Sequence, residues 1–206
     1  TIKAINEIFN GKFGTANNVL IEEFLEGEEM SFFVIADGKN YKYFHSAQDH
    51  KRVGEGDTGK NTGGMGAYSP SRLINDNLEK KIFNKIIHPT LKGLSDLGTK
   101  YKGFLYVGLM IVNNEPYLIE YNIRMGDPEC QVILPRLKTD IIKILKNATK
   151  NNLKNTKIEW EKRKRRKRNP RRRLLEMTYH FVRKKTRILI LPVSSLRGNP
   201  FVKTTF

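Results

Sequence analysis

The 206-residue chain holds one cysteine, one tryptophan and no uninterrupted apolar run near the ~20 residues that a membrane-spanning helix needs. Cys130, being alone, excludes an intrachain disulfide framework, and the lack of apolar runs excludes a helical membrane span. No basic start followed by an apolar stretch marks a secretion signal, so a reducing, cytoplasmic setting is expected, in which Asn147-Ala148-Thr149 is an idle glycosylation sequon. The last 46 residues contain few acids. Residues 1–160 hold 22 basic and 19 acidic side chains, whereas residues 161–206 hold 16 basic and 2 acidic ones. The net charge of +17 therefore belongs to the end of the chain and not to the part that carries a core. With 38% hydrophobic and 10% aromatic residues, that part is expected to be globular. The chain also lacks an initial Met and begins in a helical pattern (Ile2, Ile5, Ile8, Phe9) without a cap, as expected of a piece of a longer protein.

Val19–Phe24, Met30–Ala36 and Tyr41–Phe44 are rich in β-formers. The intervening Leu25–Glu29 and Asp37-Gly38 segments predict three consecutive strands. Six glycines between Ser46 and Pro70 predict a long irregular loop, a length usually reserved for function. Asn75 is placed to cap a helix whose apolar residues Leu78, Ile82, Ile86, Ile87 and Leu91 recur at helical spacing to about Leu97-Gly98, with Pro89 expected to kink or interrupt it. Phe104–Val112 and Pro116–Asn122 flank Asn113-Asn114 as a hairpin, and helices follow to about Leu145. The order gives an α+β fold with a mostly antiparallel sheet and flanking helices. From Glu161 the composition changes abruptly, and Lys162–Arg173 carries ten basic residues, a block of like charge expected to be disordered.

Glu120-Tyr121-Asn122 ends the second hairpin strand. Alternate residues on a strand share a face, so a carboxylate and an amide oxygen are aimed together, which suits a Mg²⁺ ion completed by phosphate and water oxygens. Standing alone, the pair reads first as a solvent-facing strand end, and only the neighbouring motifs change that. Glu22 to Glu29 surround a Gly with acids where an exposed backbone can meet an adenine edge and a carboxylate a ribose; a charged hairpin is the plain alternative. Gly54-x-Gly56-x-x-Gly59-Lys60 fits neither a dinucleotide fingerprint nor a phosphate loop, because it lies outside a βαβ unit and Asn61 replaces the required Ser or Thr. His50, Lys51 and Arg52 beside it suit phosphate contact. His45 and His88 read as structural, Phe104 and Tyr106 as core, and Cys130 as a small packed residue at a helix start.

Together, Ser46–Arg52, Asn61–Pro70, Gly103–Tyr106 and Glu120–Glu129 resemble the glycinamide ribonucleotide synthetases (phosphoribosylamine-glycine ligases), ATP-grasp enzymes of purine synthesis. The resemblance runs through about residues 1–160. It implies a partial ATP-grasp fold: residues 1–25 as the remnant of a small ATP lobe, 26–160 as the large lobe, and 161–206 as a tail foreign to the family. It implies ATP and Mg²⁺ (or Mn²⁺) as cofactors, with Glu120 and Asn122 as metal ligands and Glu22, Glu23, Phe24, Leu25 and Glu29 around the adenosine. Asp49, Arg124 and Asp127 would serve the acceptor side, where glycine and 5-phosphoribosylamine are the substrates. The amino-terminal domain, most of the small lobe and the carboxy-terminal domain of the family are expected to be missing, leaving little activity in this chain alone. Three readings compete for the tail: a frame-shifted coding stretch, a nucleic-acid-binding extension and a membrane-surface or targeting segment. Two other functions stay open at this point: a different ATP-grasp ligase or carboxylase, and a basic nucleic-acid-binding protein around a relic nucleotide domain.

Overall fold

The computed structural model describes residues 2–12, 14–54, 58–62 and 64–161; the basic run Lys162–Arg173 and the expectation of disorder attached to it lie outside these residues. Five strands form one antiparallel sheet in the order β5-β2-β1-β6-β7, with β1 at Glu28–Asp37, β2 at Tyr41–Asp49, β5 at Ala67–Tyr68, β6 at Lys102–Val112 and β7 at Glu115–Asn122. β3 (Arg52–Gly54) and β4 (Thr58–Asn61) make a separate two-stranded ribbon.

β1 is central because it is apolar on both faces. Its even residues Met30, Phe32 and Val34 join Leu105, Val107, Leu109 and Ile111 of β6 under one helical layer, made of α2 (Asp76–Ile82), a π-helical turn (Phe83–Ile87) and α3 (His88–Asp96). Its odd residues Phe33 and Ile35 join Phe44, Ala47 and Tyr106 beneath α4 (Glu129–Ile133) and α5 (Ile141–Thr149). A strand buried on both sides reads as a continuous apolar run rather than an alternating one, which is the pattern of Phe32-Phe33-Val34-Ile35. Each of these four side chains is fully buried, at about 1.5–3 kcal/mol apiece for the large ones, so β1 fastens the two layers to one sheet.

Local chemistry sets the ends of the elements. Asn75 Oδ1 accepts the amide of Leu78 at 2.9 Å, capping α2 as expected, and Asp140 Oδ1 accepts that of Ile142 at 2.9 Å to open α5. Asn113 and Asn114 both adopt the left-handed conformation (φ 51° and 62°), the two-residue hairpin turn that Asn tolerates best.

Three expectations are corrected. Val19–Phe24 is not a strand: residues 15–27 have no regular structure, and Leu20, Ile21 and Phe24 are exposed. A strand needs an edge to pair with, and β1 is already flanked by β2 and β6. The long loop after Ser46 is not irregular throughout, since β2 runs on to Asp49 and the glycine-rich stretch folds back as β3–β4 before β5 rejoins the sheet. Pro89 does not end the helical run, and the interruption of the α pattern falls just ahead of it, in the π turn Phe83–Ile87; the proline itself sits in the first turn of α3, where its missing N–H costs least.

Candidate functional site

Alternation along β1 carries Glu29 and Ser31 on the same face as Phe33 and Ile35, so the strand that anchors the core also points two polar side chains out of its end. Ser31 is opposite Ala47 of β2 and Gly108 of β6, which brings Asp49 and β7 alongside. Glu120 is opposite Gly108, and a Cβ at that glycine would lie 2.9 Å from Glu120 Cγ; the missing side chain is the space in which the glutamate lies. Glu29, Ser31, Asp49, Lys51, Tyr106 and Glu120 consequently line one cleft at the end of the sheet.

Lys51 Nζ meets Glu29 Oε2 at 2.8 Å. Burial opposes its charge, yet the hydrogen bond to Glu29, with Tyr106 and Glu120 near, holds the ammonium above the ordinary lysine value. Asp49 behaves oppositely. Burial, reinforced by the Glu129 carboxylate and only partly offset by Lys51, pushes its pKa up to about 7. Its Oδ1 is buried without a hydrogen-bond partner, and the carboxylate lies 3.1 Å from where a Cβ on Gly64 would stand.

Glu129, the first residue of α4, is buried and accepts a hydrogen bond from Ser31 Oγ at 2.9 Å, while Ser31 Oγ also lies 3.1 Å from the Tyr106 hydroxyl. A Cβ on Gly126 would fall 2.3 Å from Glu129 Oε2, so the glycine of the Arg124–Glu129 motif is required by the carboxylate three residues later. Burial and Glu129 keep the Tyr106 phenol neutral far above its usual range.

Asn122 Nδ2 donates to Glu120 Oε1 at 3.0 Å, so the two side chains share a face and touch. One carboxylate and one amide, rotated to present its oxygen, suit a hard divalent cation. Among the described residues no group of three or more His, Cys, Asp and Glu is placed to hold a metal, so a cation here would take the rest of its shell from phosphate and water oxygens.

The other expected residues are spread out. Glu22, Glu23 and Phe24 lie on the exposed irregular stretch before β1, with Leu25 half-buried, and only Glu29 of that set enters the cleft. Arg124 is exposed and donates to the carbonyl of Met125 at 3.0 Å; Asp127 accepts from Gln131 Nε2 at 2.8 Å. Cys130 is no activated thiol, since burial, Asp127 and Glu129 raise its pKa. His45 is structural: its ring lies 2.9 Å from Arg136, and burial together with that guanidinium lowers its pKa to about 4. Sequence reasoning placed Tyr106 in the core, passed over Ser31, and assigned Glu129 no role. Ser31 carried a legible signal as the one polar residue inside the apolar run Met30–Ala36.

The fold belongs to the ATP-grasp class, as the family model and the solved structure that match it show. Within that class, the family described as phosphoribosylglycinamide synthetase, ATP-grasp (A) domain, matches residues 1–130, and the chain belongs to it. It is 51% identical to the phosphoribosylamine--glycine ligase of Vigna unguiculata over 162 residues, which are 77% of this chain and 52% of that protein. It is also 51% identical to the chloroplastic phosphoribosylamine--glycine ligase of Arabidopsis thaliana over 158 residues, 75% of this chain and 30% of that one. The crystal structure of the phosphoribosylamine--glycine ligase of Thermotoga maritima superposes with a TM-score of 0.66 at 35% identity, covering 77% of this chain and 40% of that one. The chain thus spans about half or less of the length of these relatives. No helix among the described residues is long and apolar enough to cross a membrane.

Proposed function

We propose that the chain supplies the metal and acceptor half of an ATP-dependent ligase that joins glycine to 5-phosphoribosylamine. Residues 26–160 form the large ATP-grasp lobe in this reading, residues 1–25 are the end of the smaller lobe, and the amino- and carboxy-terminal domains lie elsewhere. The observation that carries it is the convergence of Glu29, Lys51, Asp49 and Glu120 on one cleft, with Asn122 touching Glu120.

Glu120 and Asn122 would hold a divalent metal, which would supply positive charge against the nucleotide phosphates. Glu29 accepts from the ribose hydroxyls, and the irregular stretch Glu22–Leu25 offers backbone groups to the adenine edge. Glycine attacks the terminal phosphorus of ATP through a carboxylate oxygen, and ADP leaves. The amine of 5-phosphoribosylamine then attacks the activated carbonyl carbon, phosphate departs, and the nitrogen loses a proton. Asp49, with an unpartnered oxygen and a pKa near neutrality, accepts that proton. Arg124 and Asp127 serve the same side, the guanidinium holding the anionic acyl phosphate and the carboxylate an amine. No covalent enzyme intermediate is needed, because positioning and charge neutralisation supply the rate.

The test replaces the matching segment of a full-length phosphoribosylamine--glycine ligase with residues 1–160 and assays glycinamide ribonucleotide formation. Activity in the chimera, abolished by Glu120→Ala with nucleotide-free folding intact, is the expected result. A folded chimera that hydrolyses ATP but joins a different acid or amine would overturn the substrate assignment.

A further inference from the structure

A second cleft opens at the other end of the sheet, between the β1–β2 turn and α3. It encloses about 860 Å³, within the ~300–1,000 Å³ typical of small-molecule sites. Three lysines, Lys39, Lys92 and Lys100, line it with the rings of Tyr41, Tyr101 and His88. Among the described residues lining it the one acid is Asp96, which Lys92 holds at 2.6 Å, so none of these residues offers Lys39 or Lys100 a free carboxylate.

The acid nearest in sequence does not neutralise them. Asp37 is fully buried; its Oδ1 accepts from the amides of Lys39 and Asn40 at 2.9 and 2.6 Å, and its Oδ2 from that of Leu153 at 2.8 Å. Its charge is spent on the turn. The aromatic wall is fixed from behind: His88 meets Tyr41 edge-on at 5.5 Å, Tyr41 stacks on Phe83 at 5.9 Å, and the Tyr101 hydroxyl donates to the Phe104 carbonyl. Phe83 and His88 bracket the π turn, the irregularity that sets both rings around Tyr41.

We propose that this cleft is a binding site for a planar heteroaromatic ring carrying a phosphate, as in a nucleoside monophosphate. Tyr41, Tyr101 and His88 offer ring faces and edges to the base. Lys39 and Lys100 offer point charges to the phosphate. The site is remote from the Glu29–Lys51–Glu120 cleft and shares no lining residue with it.

The test titrates the ¹⁵N-labelled 206-residue chain with AMP in the presence of a chelator, so that metal-dependent binding at Glu120 is silent. Saturable shifts of the Gly38, Asn40, Ser95 and Tyr101 amides are expected. Adenosine and ribose 5-phosphate should each bind at least about tenfold more weakly, because each retains only one of the two recognised groups. The double variant Lys39→Glu/Lys100→Glu, at two exposed positions that leave the core untouched, should lose AMP binding by at least the same factor. Shifts confined to Glu29, Lys51 and Glu120, an unchanged affinity in the double variant, or equal affinity for a base-free phosphate would each overturn the proposal. None of these outcomes bears on the ligase reading, which stands or falls with Glu120.

Discussion

One sheet carries two charged ends that are built on opposite principles. At the acidic end, Glu29, Asp49, Glu120 and Glu129 surround a single lysine, most of the groups are at least half-buried, and each is fixed by a strand or by the first turn of α4. At the basic end, Lys39 stands on the β1–β2 turn, Lys92 on α3 and Lys100 on the connection from α3 to β6, with one surface ion pair among them. The difference teaches where chemistry is possible. Burial changes what a group is, raising the Asp49 carboxyl to about 7, whereas an exposed ion pair is screened by water and contributes little. The proposed proton and phosphoryl transfer therefore belongs to the acidic end, and the proposed binding without chemistry to the basic one.

The comparison breaks most severely if the layer beneath the acidic end is removed. Phe33→Ala should cost about 3–5 kcal/mol, because Phe33 is fully buried, packs edge-on against Tyr106 at 5.0 Å and lies two residues from Ser31. Chemical denaturation measures it, and a loss below about 1 kcal/mol would show that the face relaxes freely. Gly126→Ala should cost about 1–3 kcal/mol and detach Glu129 from Ser31, since the new methyl occupies the position of Glu129 Oε2. Its crystal structure would reveal whether the carboxylate or the backbone moves. Ser31→Ala removes the hydroxyl that meets Glu129 and Tyr106 and should cost about 1–2 kcal/mol.

Asp49 sharpens the comparison through pH. Its folded pKa is raised above the unfolded value near 3.8, so between about pH 4 and pH 7 the folded state binds more protons than the unfolded one and stability falls as pH rises. Asp49→Asn should flatten that slope; a stability profile identical to that of the parent would show that Asp49 is not the group responsible. His45 acts in the opposite sense, losing stability as pH falls from about 6.5 towards 4, so the two slopes must be separated by the single variants. At the basic end the expected effect is smallest. Lys92→Ala breaks an exposed i,i+4 pair with Asp96 and should change stability by no more than about 0.5 kcal/mol, with any change vanishing at high salt.

Much of the frame was legible in the residues. The Asn113-Asn114 hairpin, the Asn75 cap and the apolar strand Met30–Ala36 are local signals, each dictated by side-chain chemistry within a few positions. The family was legible too, because its motifs are contiguous. Val19–Phe24 shows the limit: its composition suits a strand, but strand formation depends on a neighbouring edge, and both sides of β1, the strand it leads into, are taken by β2 and β6. The acidic site was legible as a set of motifs and not as an arrangement. Nothing in the spacing joins Ser31 to Glu129, 98 residues later, or says that Gly108 and Gly126 are spaces kept for two carboxylates.

The sequence by itself determined the Met30–Ala36 strand, the Asn113-Asn114 hairpin, the Asn75 cap, the uneven charge and the family, all of which rest on short-range preference and on contiguous motifs. Only the tertiary structure decided which carboxylates become neighbours, which lysine is neutralised and which are left bare. Those outcomes depend on register, on the packing of α4 over β1 and on desolvation, and such long-range quantities exist only once the chain has closed on itself.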